Sequence, residues 1–372
     1  MSVTPIKMPK WGLSMQEGAI VDWWQAEGAA VAEGDDLVDI ETSKITNVCE
    51  SPAAGVLRRI IAQPGETLPV GALMGVLADA DTPDADIESF ISDFQASYVP
   101  PEADAAGAEV LRVSTVEAGG RTIRIGRAGL ETGVPVVLIH GYSGDMTNWL
   151  FNIEALSALN PVIALDMPGH GGSSKDVADG SLKTLSNAVA AALQSLGVTE
   201  AHLVGHSLGA AVAARLAIDH AGLARSVTLI APAGLSSTGV SEPFLTGVID
   251  AQRARDLKPV LQMLLADPET VTKDMVEDVL KSKRVDGVEE ALTILRDRMV
   301  AGADSAALRA DLARIPRALV IASKADRIVG APDESKLPAG FKVVWIEGAG
   351  HMPHLEQASV VNGLLADVVK AS

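Results

Sequence analysis

Cysteine, aromatic residues and cationic charge are all scarce in this 372-residue chain, and each scarcity excludes something. The single cysteine, Cys49, rules out an internal disulfide and any cysteine-rich metal site, and fits a reducing compartment. Phe, Tyr and Trp make up 3% of the chain against 48% apolar residues, so its cores must be built from Ala, Val, Leu and Ile. Thirty Lys and Arg stand against 48 Asp and Glu, a formal net charge of −18. Nucleic acids and anionic membranes are bound through clustered cations, so neither is an expected partner. No segment approaches the roughly 18 uninterrupted apolar residues of a membrane span. The opening MSVTPIKMPKWGLSMQEG has no apolar core of signal-peptide length, and a cytoplasmic protein is expected. The length suggests two or three domains.

What is present begins with a repeat. Gly18, Gly28 and Gly34 recur 37 residues later as Gly55, Gly65 and Gly71, and apolar pairs such as Val31 with Leu68 and Ile40 with Leu77 keep the same offset. Glycine at such sites usually supplies a positive φ in tight turns, and the segments between are short and alternate in apolar character. Residues 1–79 therefore read as a small β-sandwich of two similar halves. In DIETSKITNV (39–48), Lys44 falls at an exposed turn between strands 37–42 and 45–50, near the junction of the halves. Residues 80–108 turn acidic and rich in Ala, Pro and Asp, and are read as a linker in which 87–94 forms one or two helical turns.

From residue 109 to 372 the pattern changes to strands alternating with helices. VPVVLIH (134–140) and VIALD (162–166) are buried-strand runs, the Ala-rich 184–196 is helical, and strand 201–205 leads into helix 210–220. Further strands are expected at 226–230, 317–322 and 342–346. This predicts a mostly parallel sheet with helices on both faces. No strong strand lies between 233 and 315, so a helical cap is expected there.

GHSLG (205–209) follows a strand and precedes a helix, the context of a nucleophile elbow. There two glycines allow a sharp turn to push the serine, Ser207, out at the strand end. A serine needs a base. His351 in GAGHMPHLE (348–356) sits in a Gly-flanked loop after the last strand, with His354 as the alternative three residues on. The base needs an orienting acid. Asp326 ends ASKAD (322–326) and gives the chain order Ser, acid, His, with Asp333 farther from the strand end. The N–H of Leu208 and, from HGYSG (140–144), that of Tyr142 are the expected oxyanion donors.

HGYSG, DMPGHGGSS (166–174), GHSLG, Asp326 and GAGHMPHLE together resemble the α/β-hydrolase family over nearly all of 110–372. Residues 1–79, with MPKWGLSMQEG, paired glycine halves and ETSKI, look like a lipoyl domain, which implies an amide-linked lipoyl group on Lys44. Biotin carriers share that fold, but their lysine is flanked by methionines, and here the neighbours are Ser43 and Ile45. Ser43 stands where the commoner lipoyl pattern has an aspartate.

The His-x-x-x-Asp-Gly signature of the usual lipoyl-linked acyltransferase domain is missing, since Asp179-Gly180 and Asp286-Gly287 lack the histidine. The combination resembles the family of acetyltransferase components of acetoin dehydrogenase complexes. That resemblance implies transfer of acetyl from dihydrolipoyllysine to coenzyme A in acetoin catabolism. The implied partners are a thiamin-diphosphate-dependent acetoin dehydrogenase, a dihydrolipoamide dehydrogenase and a lipoate ligase or transferase, and a homo-oligomer is expected. Arg253, Arg255, Lys258, Lys281, Lys283 and Arg284 in the cap are candidates for the phosphates of coenzyme A. A serine esterase or thioesterase tethered to a carrier, and a scaffold with a vestigial triad, are the competing readings.

Overall fold

The computed structural model describes residues 3–9, 17–42, 46–98, 111–236 and 238–371, and the chain forms two compact units, Met1–Ala108 and Glu109–Ser372. In the first unit the strands are β1 (Thr4–Lys7), β2 (Glu17–Trp23), β3 (Ala30–Val31), β4 (Asp36–Glu41), β5 (Thr46–Glu50), β6 (Gly55–Ile60), β7 (Thr67–Pro69) and β8 (Leu73–Ala78), followed by helix α1 (Asp84–Ser97). Two four-stranded antiparallel sheets run in the orders β1-β8-β6-β3 and β5-β4-β2-β7. Shifting β2, β3 and β4 by the 37-residue repeat superimposes them on β6, β7 and β8, so one sheet order maps onto the other. Four of the six repeat glycines, Gly28, Gly34, Gly65 and Gly71, adopt φ between 83° and 90°, the turn geometry that a side chain disfavours. Ile6, Ile20, Leu37, Ile40, Leu57, Met74 and Leu77 fill the space between the sheets.

The reading of 80–108 as a linker is corrected over its first half. β8 is buried at all six positions, because Met74 and Leu77 face the sandwich while Leu73, Val76 and Ala78 face away from it. That second face needs a cover. Ile87, Phe90, Ile91 and Phe94, spaced i, i+3, i+4 and i+7, place α1 on it, and the helix runs for 14 residues rather than one or two turns. Arg58 and Arg59 bind Asp84 and Glu88 of α1 at 2.8 and 2.9 Å, exposed pairs that orient the helix more than they stabilise it.

Lys44 lies outside the described residues. β4 and β5, which flank it, pair from Asp36 opposite Glu50 to Glu41 opposite Thr46. Cys49 on β5 is half-buried, and burial, aided by Glu50, pushes its thiol up to about 11, so it is protonated and unreactive near neutral pH.

The second unit contains β9 (Arg112–Ala118), β10 (Arg121–Gly129), β11 (Val136–Ile139), α2 (Leu150–Ser157), β12 (Pro161–Leu165), α3 (Leu182–Ser195), β13 (Ala201–His206), α4 (Leu208–Asp219) and β14 (Ala224–Ile230). Then come α5 (Glu242–Asp250), α6 (Ala254–Leu261), α7 (Lys273–Lys283), α8 (Val288–Ala301), α9 (Ala303–Asp311), β15 (Ala318–Ser323), β16 (Phe341–Ile346), α10 (Pro353–Glu356) and α11 (Ala358–Ala371). The sheet order is β16-β15-β14-β13-β11-β12-β10-β9. From β12 to β16 the pairs are parallel, and β9 and β10 add an antiparallel hairpin at one edge. β11, β13 and β15 are buried at every position, the mark of strands covered on both faces. Between β14 and β15 the described residues hold five α-helices and no strand. Among the described residues no helix is long and apolar enough to cross a membrane.

Candidate active site

The reactive groups gather beyond the carboxyl ends of β11, β12, β13, β15 and β16, where an open parallel sheet leaves a crevice. Ser207 sits between β13 and α4 with φ 54° and ψ −117°, a conformation rare for a non-glycine residue. The surroundings hold it there. Its N–H donates to the Ile230 carbonyl at 2.9 Å, and its own carbonyl accepts from Ala210 and Ala233, each at 3.1 Å. Close approach explains both glycines of GHSLG. A Cβ on Gly205 would collide with the Gly209 carbonyl and come within 2.7 Å of Ala210 Cα, and one on Gly209 would collide with the carbonyl oxygens of Ile139 and His140.

His351 and Asp326 meet. Nδ1 of the imidazole lies 2.9 Å from Asp326 Oδ2, and both side chains are nearly inaccessible to solvent. The other carboxylate oxygen accepts from the amides of Ile328 (2.8 Å) and Val329 (3.1 Å). Burial raises the Asp326 pKa, but the His351 imidazole and those two amides outweigh it and hold the carboxyl below its ordinary value. With Nδ1 committed to the carboxylate, Nε2 is the nitrogen left for chemistry. The carbonyl of His351 accepts from His206 Nε2 at 2.8 Å, and the two rings lie 4.8 Å apart, so the loop carrying His351 is fastened to the residue preceding Ser207.

His354 does not share this arrangement. Its ring is fully buried between Trp149 and His206, and neither nitrogen has a hydrogen-bond partner among the described residues. Asp333 instead serves Ser335 and Lys336 at the surface.

The loop after β11 lies directly against the elbow, since a Cβ on Gly141 would be 3.0 Å from Ser207 Cβ. Leu208 is the first residue of α4, so its N–H is one of the unpaired donors of a helix start. Tyr142 is buried, and its hydroxyl donates to the Leu292 carbonyl at 3.0 Å and lies 3.4 Å from that of Leu245. The side chain thus ties the loop to α8 and α5 of the cap. Among the cap cations, Lys283 is buried and donates to the carbonyls of Ile249 and Ala251, where it closes the end of α5 and cannot reach a ligand. Arg253 and Arg255 are paired with Asp256, and Lys281 with Asp278.

Residues that the sequence reading passed over shape the floor of the site. Asp166, fully buried at the end of β12, accepts from the amides of Met146 (2.8 Å) and Gly172 (2.7 Å) and lies 3.3 Å from Arg124. His140 accepts from Met167 N–H through Nε2 and donates through Nδ1 to the Gly141 carbonyl, and His170 accepts from Ser143 N–H and donates to the Pro168 carbonyl. The quoted motifs contained all three. Their signal was only that polar residues sat where a strand ends.

Burial drives His170 and His354 down to about 3, helped by the neighbouring His140 and His351 respectively, and moves His140 and His206 the same way. Each folded-state pKa is below the unfolded value of about 6.5, so the unfolded chain takes up protons first. For His170 and His354 the stability concerned is complete above about pH 6.5 and declines as pH falls toward about 3, at roughly 1.4 kcal/mol per pH unit for each, and His140 and His206 act in the same direction. Glu356, raised by burial, works in the opposite sense, but it is a single group. The unfolding temperature of this unit is expected to drop steeply between pH 6 and 4, with a shallower slope in His170→Gln. A slope that does not change in the variant refutes the assignment.

Residues 136–364 match the family model described as "Alpha/beta hydrolase family", and residues 4–77 match the one described as "Biotin-requiring enzyme". A 2-hydroxy-6-oxo-6-phenylhexa-2,4-dienoate hydrolase from Rhodococcus shares the fold of the second unit, with TM-score 0.61 and 22% identity over 70% of this chain and 100% of that one. Fold and site thus define an α/β hydrolase preceded by a small carrier-type β unit. The chain is 43% identical over 364 residues, 96% of either chain, to the dihydrolipoyllysine-residue acetyltransferase component of the acetoin cleaving system of Pseudomonas putida. It is 41% identical over 370 residues to the corresponding component of Cupriavidus necator, covering 98% of this chain and 96% of that one. The chain belongs to this family of acetyltransferase components of acetoin cleaving systems.

Proposed function

We propose that the chain moves an acetyl group from a thioester on its own lipoyllysine to the thiol of coenzyme A, with Ser207 as nucleophile, His351 as base, Asp326 as orienter and the N–H groups of Leu208 and Tyr142 as oxyanion donors. The observation that carries this reading is the 2.9 Å contact between His351 and Asp326, next to a strained serine in a chain whose first unit pairs the two strands on either side of Lys44. A lipoyl group amide-linked to Lys44 supplies the mobile thiol that delivers the acetyl. The segment between Glu41 and Thr46 is short and bounded by a paired strand on each side, which suits an attachment point that must project.

Ser207 Oγ attacks the thioester carbonyl while His351 Nε2 takes its proton. The C–S bond breaks, the departing sulfur receives that proton, and an acetyl ester is left on Ser207. The thiol of coenzyme A then enters and gives its proton to His351. Its sulfur attacks the ester, and Ser207 leaves with the proton returned. No electrons are exchanged with an outside reagent, and a thioester replaces a thioester. Water must be kept from the ester, and helices α5–α9, tied to the oxyanion loop through Tyr142, support that exclusion. Of the six candidate cations, Lys258 and Arg284 are exposed and without an ion pair among the described residues, and we assign them to the phosphates of coenzyme A. The first unit also serves a thiamin-diphosphate-dependent acetoin dehydrogenase that loads the carrier and a dihydrolipoamide dehydrogenase that reoxidises it, after a lipoate ligase or transferase has modified Lys44. The chain works as a cytoplasmic homo-oligomer.

Product analysis tests the reading. Acetyl-dihydrolipoamide is expected to give acetyl-CoA when coenzyme A is present and free acetate at least about tenfold more slowly when it is absent. Acetate released at the same rate in both cases favours a tethered esterase or thioesterase. Lys44→Arg should retain activity on free acetyl-dihydrolipoamide while its intact mass lacks the lipoyl increment carried by the native chain.

A further inference from the structure

Glu356, the last residue of α10, makes three hydrogen bonds that bracket the base. Oε1 accepts from Gly350 N–H (2.8 Å) and Met352 N–H (3.1 Å), the amides on either side of His351, and Oε2 accepts from Ala266 N–H (2.7 Å) in the cap. The same stretch of cap is held twice more. The His351 amide donates to the Leu264 carbonyl at 2.7 Å, and Arg327, next to the orienting Asp326, donates to the Leu265 carbonyl at 2.9 Å. There is no slack in the contact, because a Cβ on Gly350 would come within 2.7 Å of Ala266 N and the Leu264 carbonyl oxygen.

We propose that Glu356 is a positioning residue for His351, and that through it the cap segment 264–266 must be seated before the imidazole faces Ser207. The proposal rests on the triad reading above. Only a carboxylate presents two acceptor oxygens to three amides, and each of those bonds is charge-assisted. An amide side chain in its place turns an NH2 group toward one of the amides, and two donors then face each other. The base loop has to move, and a misplacement of about 1 Å in a reacting group costs on the order of 10²-fold in rate. Arg327 holds the other side of the segment, so the base and its orienting acid depend on one stretch of cap.

The test uses the full lipoylated chain. Glu356→Gln is expected to lower kcat for acetyl transfer about 30- to 100-fold with KM within about threefold, and to slow labelling of Ser207 by a fluorophosphonate in parallel. Glu356→Asp, which keeps the carboxylate, should recover part of the kcat. Arg327→Met should lower kcat by itself, and the double variant should lose less than the product of the single losses.

Ser207→Ala and His351→Ala accompany the series. If both retain full transfer, the triad reading fails whatever Glu356 does. If they are inactive while Glu356→Gln keeps kcat within threefold, or loses only KM or thermal stability, the positioning role is overturned. Should Glu356→Gln not fold, Glu356→Asp and Arg327→Met decide the matter, and unchanged kcat in both overturns the proposal.

Discussion

Ser207→Ala is expected to lower acetyl transfer by roughly 10⁴- to 10⁶-fold while the protein stays folded. The size follows from what the hydroxyl does in the proposed route, since no other described group stands at the elbow to receive the acetyl. The preserved fold follows from what holds the turn. Its hydrogen bonds run through the backbone of Ser207 to Ile230, Ala210 and Ala233, and alanine keeps all of them. The positive φ of 54° disfavours serine and alanine alike, so the exchange adds little strain. Measurement needs acetyl-CoA formation under saturating substrates together with a thermal unfolding midpoint. A variant within tenfold of the native rate sinks the acyl-serine. If His351→Ala is then still inactive, the imidazole acts directly on the thiol of coenzyme A, and the transfer runs in one step.

Much of this candidate site was legible because the residues proposed to carry chemistry lie at strand ends, and strand ends are marked by a change from apolar run to glycine or polar residue. GHSLG, Asp326 and His351 each follow such a run, and the structure places them beyond β13, β15 and β16. The 37-residue repeat was legible for a related reason, because the turn geometry at Gly28, Gly34, Gly65 and Gly71 leaves a mark at single positions. What stayed hidden depends on contacts between segments far apart in sequence. Glu356 reads as one more charged residue after Leu355, and only the approach of Ala266, 90 residues earlier, shows its task. Lys283 reads as a free cation at the end of a charged helix, and only the carbonyls at the end of α5 show that it is spent.

The full length of helix α1 is harder to read than its existence, since only 87–94 shows helical spacing. Its four apolar residues lie among aspartates and alanines, a composition shared with flexible linkers. The unbroken apolar run of β8 was the better signal. A sheet strand with no polar face demands a cover on each side, and the next segment able to supply one is 87–94.

Gly209→Ala should be among the most damaging single-methyl changes in the second unit, removing more than about 3 kcal/mol of stability. The added Cβ would meet the carbonyl oxygens of Ile139 and His140 and come within 2.7 Å of the Ile139 carbonyl carbon. These atoms belong to β11 and the first residue after it, and they cannot swing aside as the end of a side chain can. β11 sits in mid-sheet between β13 and β12, so moving it disturbs both ladders. For a unit of this size the loss corresponds to a fall of about 10 °C in unfolding temperature, out of a stability of about 5–15 kcal/mol. Gly222→Ala is the control, since a Cβ there meets nothing within 4 Å and the residue does not need a positive φ. Equal unfolding temperatures for the two variants would mean that α4 does not press on β11 as described. Activity adds a second reading below the unfolding temperature. The backbone displaced by the methyl group leads into His140, Gly141 and Tyr142, so the loop proposed to supply an oxyanion donor must shift with it, and kcat is expected to fall even where Gly209→Ala remains folded.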